Sequence, residues 1–293
     1  MIALSIVLIL GARTYGAKIS YSILGFTFQP SEFVKIIFVF CIAGMLKEST
    51  KFTHILLTAI VAGIHVLILV FSKDLGSGVI FFFVYLTMIF VATKNYFYLL
   101  VGMAGGAGAC YVGYLLFDHV KERIVAWLDP WNNINDKGYH ITQSLFAIGT
   151  GGWFGMGIYQ GDPTSIPFVE QDSVFSAVAE ELGVLFAMGT ILLCLTCFLA
   201  FMKIAMELKD DFYRYIAVGL GSTYMFQVFL TIGGGTRFIP LTGVTLPFIS
   251  YGGSSVLSTC LLFCIIQGLS LTGEEPKKKK KRKAVNEEAI ERI

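Results

Sequence analysis

The sequence predicts an all-α, polytopic helical membrane protein with about eight transmembrane segments and a large outer loop that carries re-entrant or surface helices. Three observations predict it. Of the 293 residues, 55% are hydrophobic and 14% charged, with a mean hydropathy of +0.73; a soluble domain carries about 25% charged residues, so lipid is the main solvent. Apolar runs close to bilayer length recur along the chain. The charges gather between those runs, in one long polar segment and in a basic tail.

A helix that crosses the hydrocarbon core needs about 20 mostly apolar residues. Met1–Leu10 reads as part of a membrane helix that the chain enters partway, because no basic segment precedes it and no small-residue cleavage site follows. The next runs are Phe33–Leu46, Ile55–Phe71, Val79–Ala92, Tyr96–Phe117, Val184–Met206, Tyr215–Ile232 and Val256–Leu271. Phe33–Leu46 and Val79–Ala92 are the short ones. In the fourth full run, Gly102, Gly105, Gly106 and Gly108 put small residues on several faces, which predicts close helix packing in lipid.

Lys and Arg are retained on the cytoplasmic side of a membrane. Lys47, Lys51, Lys94, Lys203, Lys209, Arg214 and the cluster Lys277–Lys283 therefore predict a cytoplasmic C-terminus and place the loop 118–181 outside, with Lys73 to Gly76 and Gly233 to Ser250. The chain divides into a transmembrane domain, 1–272, and a basic cytoplasmic tail, 273–293, which anchors to acidic headgroups. Net charge is only +2, and nothing suggests nucleic acid. Cys41, Cys110, Cys194, Cys197, Cys260 and Cys264 all lie in apolar runs, so they read as core thiols rather than a disulfide framework or metal site.

The outer loop is too long for a plain connection, and such loops are functional or disordered. Its segment from Tyr139 to Tyr159 is apolar and Gly-rich, so it is expected to re-enter the membrane or lie at its surface. All three tryptophans, Trp127, Trp131 and Trp153, sit in this loop, as at headgroup depth. Nine of the 20 acidic residues are there too, opposed by Lys121, Arg123 and Lys137. No P-loop, HExxH, GxSxG or dinucleotide fingerprint competes, and His54, His65, His119 and His140 show no ligand spacing.

Several segments between the spans carry distinctive residue orders: Phe28 to Glu32 leading into Lys35; Asp74-Leu75-Gly76; Arg123 to Pro130; Gly138 to Leu145 running into Gly149 to Gly157; Ala179 to Gly183; and Pro240 to Ser255. Read together they resemble the shape, elongation, division and sporulation (SEDS) family, whose familiar members are FtsW, RodA and SpoVE. Their order between the spans makes the match specific from about Gly16 to Leu271. The resemblance implies ten helices in a full member, two of them before this chain's first run. It also implies an essential aspartate eight residues before Glu-Glu-Leu-Gly, which is Asp172 here. The flanking Glu170-Gln171 and Ser173-Val174 depart from the family's more usual His-Thr and Phe-Ile.

By resemblance the chain is an inverting glycosyltransferase that polymerises lipid II at the outer face of the bacterial cytoplasmic membrane, partnered by a class B penicillin-binding protein. Such an attack needs one general base and positive charge at the departing pyrophosphate. Asp172 is the expected base; the alternatives are a solvated loop carboxylate or an N-cap for the helix that follows, and a cap can coexist with the base. Arg123, Arg237 and Lys73 are the candidate cations, with a divalent cation, Mg or Mn, as the other way to neutralise the leaving group. The matched segments add Glu32, Lys35, Asp129, Gln143, Ser250 and Ser254 as expected substrate contacts. Two alternatives remain: a flippase for the same lipid, which would need ionisable residues within the spans, and a non-catalytic scaffold for a transpeptidase.

Overall fold

The computed structural model describes residues 12–14, 17–23 and 26–290, with side chains described from Phe28 to Thr272. The opening run Met1–Leu10 lies outside the described residues. Three short antiparallel strands come first, β1 (Ala12–Thr14), β2 (Ala17–Ile23) and β3 (Phe26–Phe28), paired in that order. The sequence reading placed no strand here; Ile19, Tyr21 and Ile23 alternate with polar residues over too short a stretch for a helical period to compete.

Among the described residues, everything after Gln29 is helical or loop. The helices are α1 (Pro30–Glu48), α2 (Phe52–Phe71), α3 (Leu75–Thr93), α4 (Tyr96–Leu116), α5 (Asp118–Leu128), α6 (Tyr139–Gly151), α7 (Val174–Glu207), α8 (Asp211–Gly235) and α9 (Gly253–Ile290). Six of them, α2, α3, α4, α7, α8 and the Gly253–Thr272 part of α9, are long and apolar enough to cross a membrane. This is a multi-pass helical membrane protein. The run Phe33–Leu46 lies inside α1, a 19-residue helix whose Glu32, Lys35, Lys47 and Glu48 lower its apolarity. The tail continues α9 as helix to Ile290.

Helix α8 is the centre of the bundle, with 17 buried residues, and packs against α1, α3 and α7. Small residues permit this approach: a Cβ on Gly219 would stand 2.6 Å from Val39 Cγ1 and 2.8 Å from Met88 Sδ. Helix α4 is the opposite case, with no buried residue. Of its glycines, Gly102 and Gly106 press on Leu86 and Phe82 of α3, while Gly105 and Gly108 face open space. The expected packing on several faces is thus realised on one.

The 118–181 loop is largely ordered by α5, α6 and a 3-10 turn at Pro163–Ser165. Helix α6 packs on α7, and Gly151 is where they touch: a Cβ there would stand 2.1 Å from the Ala179 carbonyl oxygen. Inside α7, Gly183 has φ +86° and breaks the helix. Only glycine takes that conformation at low cost.

Candidate active site

Five segments far apart in sequence meet around Asp172. They are the start of α3, α5, α6, the stretch before α7, and the connection from Thr236 to Gly252. Asp74 sits at the N-cap of α3, accepting from Ser77 N (3.1 Å) and from the Ser31 hydroxyl (3.0 Å). The connection between α8 and α9 lies directly over that turn, since a Cβ on Gly76 would stand 2.9 Å from the Thr242 carbonyl oxygen. Arg123 of α5 holds the same connection, its Nη1 donating to the carbonyls of Thr242 (3.1 Å) and Leu241 (3.3 Å).

Asp172 is 8% exposed, and its Oδ2 lies beside Gly243, which adopts φ +74°. Burial pushes its carboxyl up to about 7, against the pull of the Arg123 charge and a hydrogen bond with Ser173. Burial likewise pulls Arg123 down, while the charges of Asp74 and Asp172 pull it back up. Arg123 is thus the cation that feels both the Asp74 and the Asp172 carboxyl.

Asp172 does not cap the following helix. Helix α7 begins at Val174 with Ser173 as the N-cap residue, so the expected cap lies one residue too early. That frees Asp172 Oδ1, which makes no hydrogen bond and faces His140 Nε2 at 3.5 Å. His140 Nε2 in turn lies 2.7 Å from Ser173 Oγ. Burial lowers His140 to about 4, so the ring is neutral at pH 7. Sequence reading missed His140, because its partner is 32 residues away and no motif spacing links them.

The other expected contacts are placed as follows. Arg237, with φ +60°, donates from Nε to Trp127 O and from Nη2 to Leu128 O, both at 3.0 Å, and so ties the end of α5 to the end of α8. Lys73 is exposed after α2, and its charge acts on His119. Asp129 closes the turn after α5 by accepting from Asn132 Nδ2 at 2.7 Å. Gln143 is half-buried on α6. Ser250 is buried, its Oγ accepting from Leu246 N at 2.7 Å, and Ser254 Oγ accepts from Gln29 N at 3.0 Å.

Glu32 and Lys35 form a buried ion pair (2.6 Å) within the bundle. Lys35 also donates to Gln227 Oε1 (2.8 Å), and Ser258 donates to Glu32 (2.9 Å). Among the described residues no group of three or more His, Cys, Asp or Glu gathers where it could hold a metal ion.

The family profile described as "Cell cycle protein", covering FtsW, RodA and SpoVE, matches residues 1–274. The chain belongs to the FtsW/RodA/SpoVE family. Among its relatives, the peptidoglycan glycosyltransferase RodA of Mycobacterium bovis is 35% identical over 95% of this chain and 64% of the relative. The stage V sporulation protein E of Bacillus subtilis is 36% identical over 79% of this chain and 65% of the relative. The chain thus spans less than two thirds of either relative. Two solved structures share the fold. One, from work titled "Structural coordination of polymerization and crosslinking by a peptidoglycan synthase complex", has a TM-score of 0.79 at 24% identity, covering 94% of this chain and 79% of that one. The other, the rod shape determining protein RodA of Thermus thermophilus, has a TM-score of 0.66 at 24% identity, covering 93% and 75%.

Proposed function

We propose that this chain is an inverting peptidoglycan glycosyltransferase that polymerises lipid II at the outer face of the bacterial cytoplasmic membrane, in elongation, division or sporulation. The observation that carries the reading is the Asp172 carboxylate: buried, raised to about 7, with one oxygen free of hydrogen bonds, beside the Arg123 charge. A base works best when its pKa lies near the operating pH. Relatives named peptidoglycan glycosyltransferase support the substrate class.

In the reaction an acceptor sugar hydroxyl gives its proton to Asp172 as its oxygen bonds the donor's anomeric carbon. The bond from that carbon to the pyrophosphate breaks on the opposite face, which inverts the centre. Undecaprenyl pyrophosphate leaves with the electron pair, and the proton on Asp172 passes to solvent. Arg123 and Lys73 are the cations that would meet the leaving group. Arg237 is committed to the carbonyls of α5 and serves to hold Arg123's helix in place.

The test is polymer formation from labelled lipid II by purified protein in lipid. Asp172→Asn is expected to lower the rate at least ~100-fold with the fold intact; unchanged polymerisation would remove Asp172 from the mechanism. A translocase reading draws on the buried Glu32–Lys35 pair, since ionisable groups within spans mark transport paths. Movement of lipid II across a sealed bilayer without polymer would favour it. Polymer formation would likewise count against a purely scaffolding role.

The proposal includes a class B penicillin-binding protein as partner, supported by the fold shared with a structure from work on polymerisation and crosslinking. It also includes a cytoplasmic C-terminus, supported by the basic cluster from Lys277 to Lys283. Protease accessibility of that tail in right-side-out vesicles checks the orientation.

A further inference from the structure

The break at Gly183 opens two places in the backbone ladder of α7, and the chain fills both from elsewhere. The Val184 N–H donates to the Gly152 carbonyl (2.9 Å) and the Leu185 N–H to the Trp153 carbonyl (3.3 Å). The carbonyls four residues earlier are taken by the same loop: Met156 N–H donates to Glu180 O (2.9 Å) and Gly157 N–H to Glu181 O (3.0 Å). Residues 152–157 are thus spliced into the helix. Irregular backbone at membrane depth is tolerated when its polar groups are satisfied in this way.

Two carboxylates fasten the rest of the loop. Glu181 Oε1 accepts from Tyr159 N and Glu180 Oε1 accepts from Asp162 N, each at 3.2 Å. From the splice through these fastenings the chain presents Trp153, Phe154, Met156, Ile158 and Tyr159 outward, with Phe154 84% and Tyr159 90% exposed. From Gly138 to Gly161 no Asp, Glu, Lys or Arg occurs. The Leu185–Trp153 bond sets this apolar tip beside exposed Leu185 and Phe186, where the lipid-facing surface of α7 begins. The tip therefore continues a surface that already faces acyl chains.

We infer that Trp153–Tyr159 is a rigid wedge seated in the lipid leaflet on the Asp172 side, and that Glu180 and Glu181 are the pins that hold it there. Its occupant is the boundary between headgroups and acyl chains, where Trp and Tyr rings partition. The wedge is fastened to Glu180 and Glu181 on the first segment of α7, residues 174–182, which begins two residues after Asp172, so the membrane sets the position of Asp172 through this splice. The inference does not depend on the reaction.

Intrinsic fluorescence of the full chain in lipid nanodiscs tests it. The emission lost on Trp153→Phe, and that gained on Phe154→Trp, should be quenched several-fold more by lipids brominated on the acyl chain than by iodide in water. Stronger quenching by iodide would overturn the wedge, and so would protection from both quenchers, as under a second protein. Glu180→Ala with Glu181→Ala should move the Phe154→Trp emission toward iodide. The Gln counterparts, whose amide oxygens can accept the same N–H groups, should leave it in lipid. An unchanged depth in the Ala pair, with the protein still folded by circular dichroism, would overturn the pins.

Discussion

The proton affinity of Asp172 has two consequences that separate experimentally. A base must be ionised, so polymerisation should rise with pH through a midpoint near 7 and flatten above it. Stability runs the other way. The folded-state value lies above the unfolded one, so the protonated carboxyl favours folding fully below about pH 4, and that contribution is lost as pH rises through 7. Asp172→Asn cannot ionise, and its melting temperature should gain on the parent's between pH 4 and 8, by the equivalent of up to about 4 kcal/mol. His140, neutral near pH 7, contributes orientation rather than charge. Replacing it with Phe should lower kcat about tenfold with KM unchanged, since a single positioning contact is worth about 1.4 kcal/mol. A rise in KM alone would place His140 in substrate binding.

At the scale of elements, the glycines divide into those that a neighbour occupies and those that face open space. Gly183→Ala adds a positive-φ penalty and sets a Cβ 2.4 Å from Gly155 N, so it should cost more than about 2 kcal/mol and release the loop 152–157. Gly219→Ala should destabilise the joint of α1, α3 and α8. Gly105→Ala on α4 meets nothing within 4 Å and should raise stability by up to about 1 kcal/mol, through helix propensity alone. Melting curves in one detergent compare the three. The helices themselves were legible from apolar run length, because a span must satisfy its own backbone and therefore announces itself locally. The break in α7 was not, since the apolar run starts at Val184 and nothing in the sequence shows that the residues before it form helix joined to the span through a break at Gly183.

For the molecule as a whole, the Glu32–Lys35 pair with Gln227 and Ser258 joins α1, α8 and α9 inside the bundle. Lys35→Met alone leaves a buried carboxylate without its cation and should cost about 3–5 kcal/mol, whereas adding Glu32→Gln should restore part of it. Thermal melting of the single and double variants gives the coupling directly. Resemblance nominated both residues as substrate contacts; their mutual bond follows from an i,i+3 spacing that the sequence did contain.

The sequence alone determined the solvent, the six spans from Phe52 on, the family and the identity of the candidate base, because hydropathy and motif order are properties of consecutive residues. Only the tertiary structure decided what surrounds that base. Asp172 borders Arg123, His140 and Gly243, which lie 49, 32 and 71 positions away, and no local pattern encodes such distances. It also decided that Arg237 is occupied by α5, and that a charge-free loop completes the backbone of a broken helix. Burial is set by packing among distant segments, and a carboxyl's proton affinity follows from its burial, so neither could be read from the chain in one dimension.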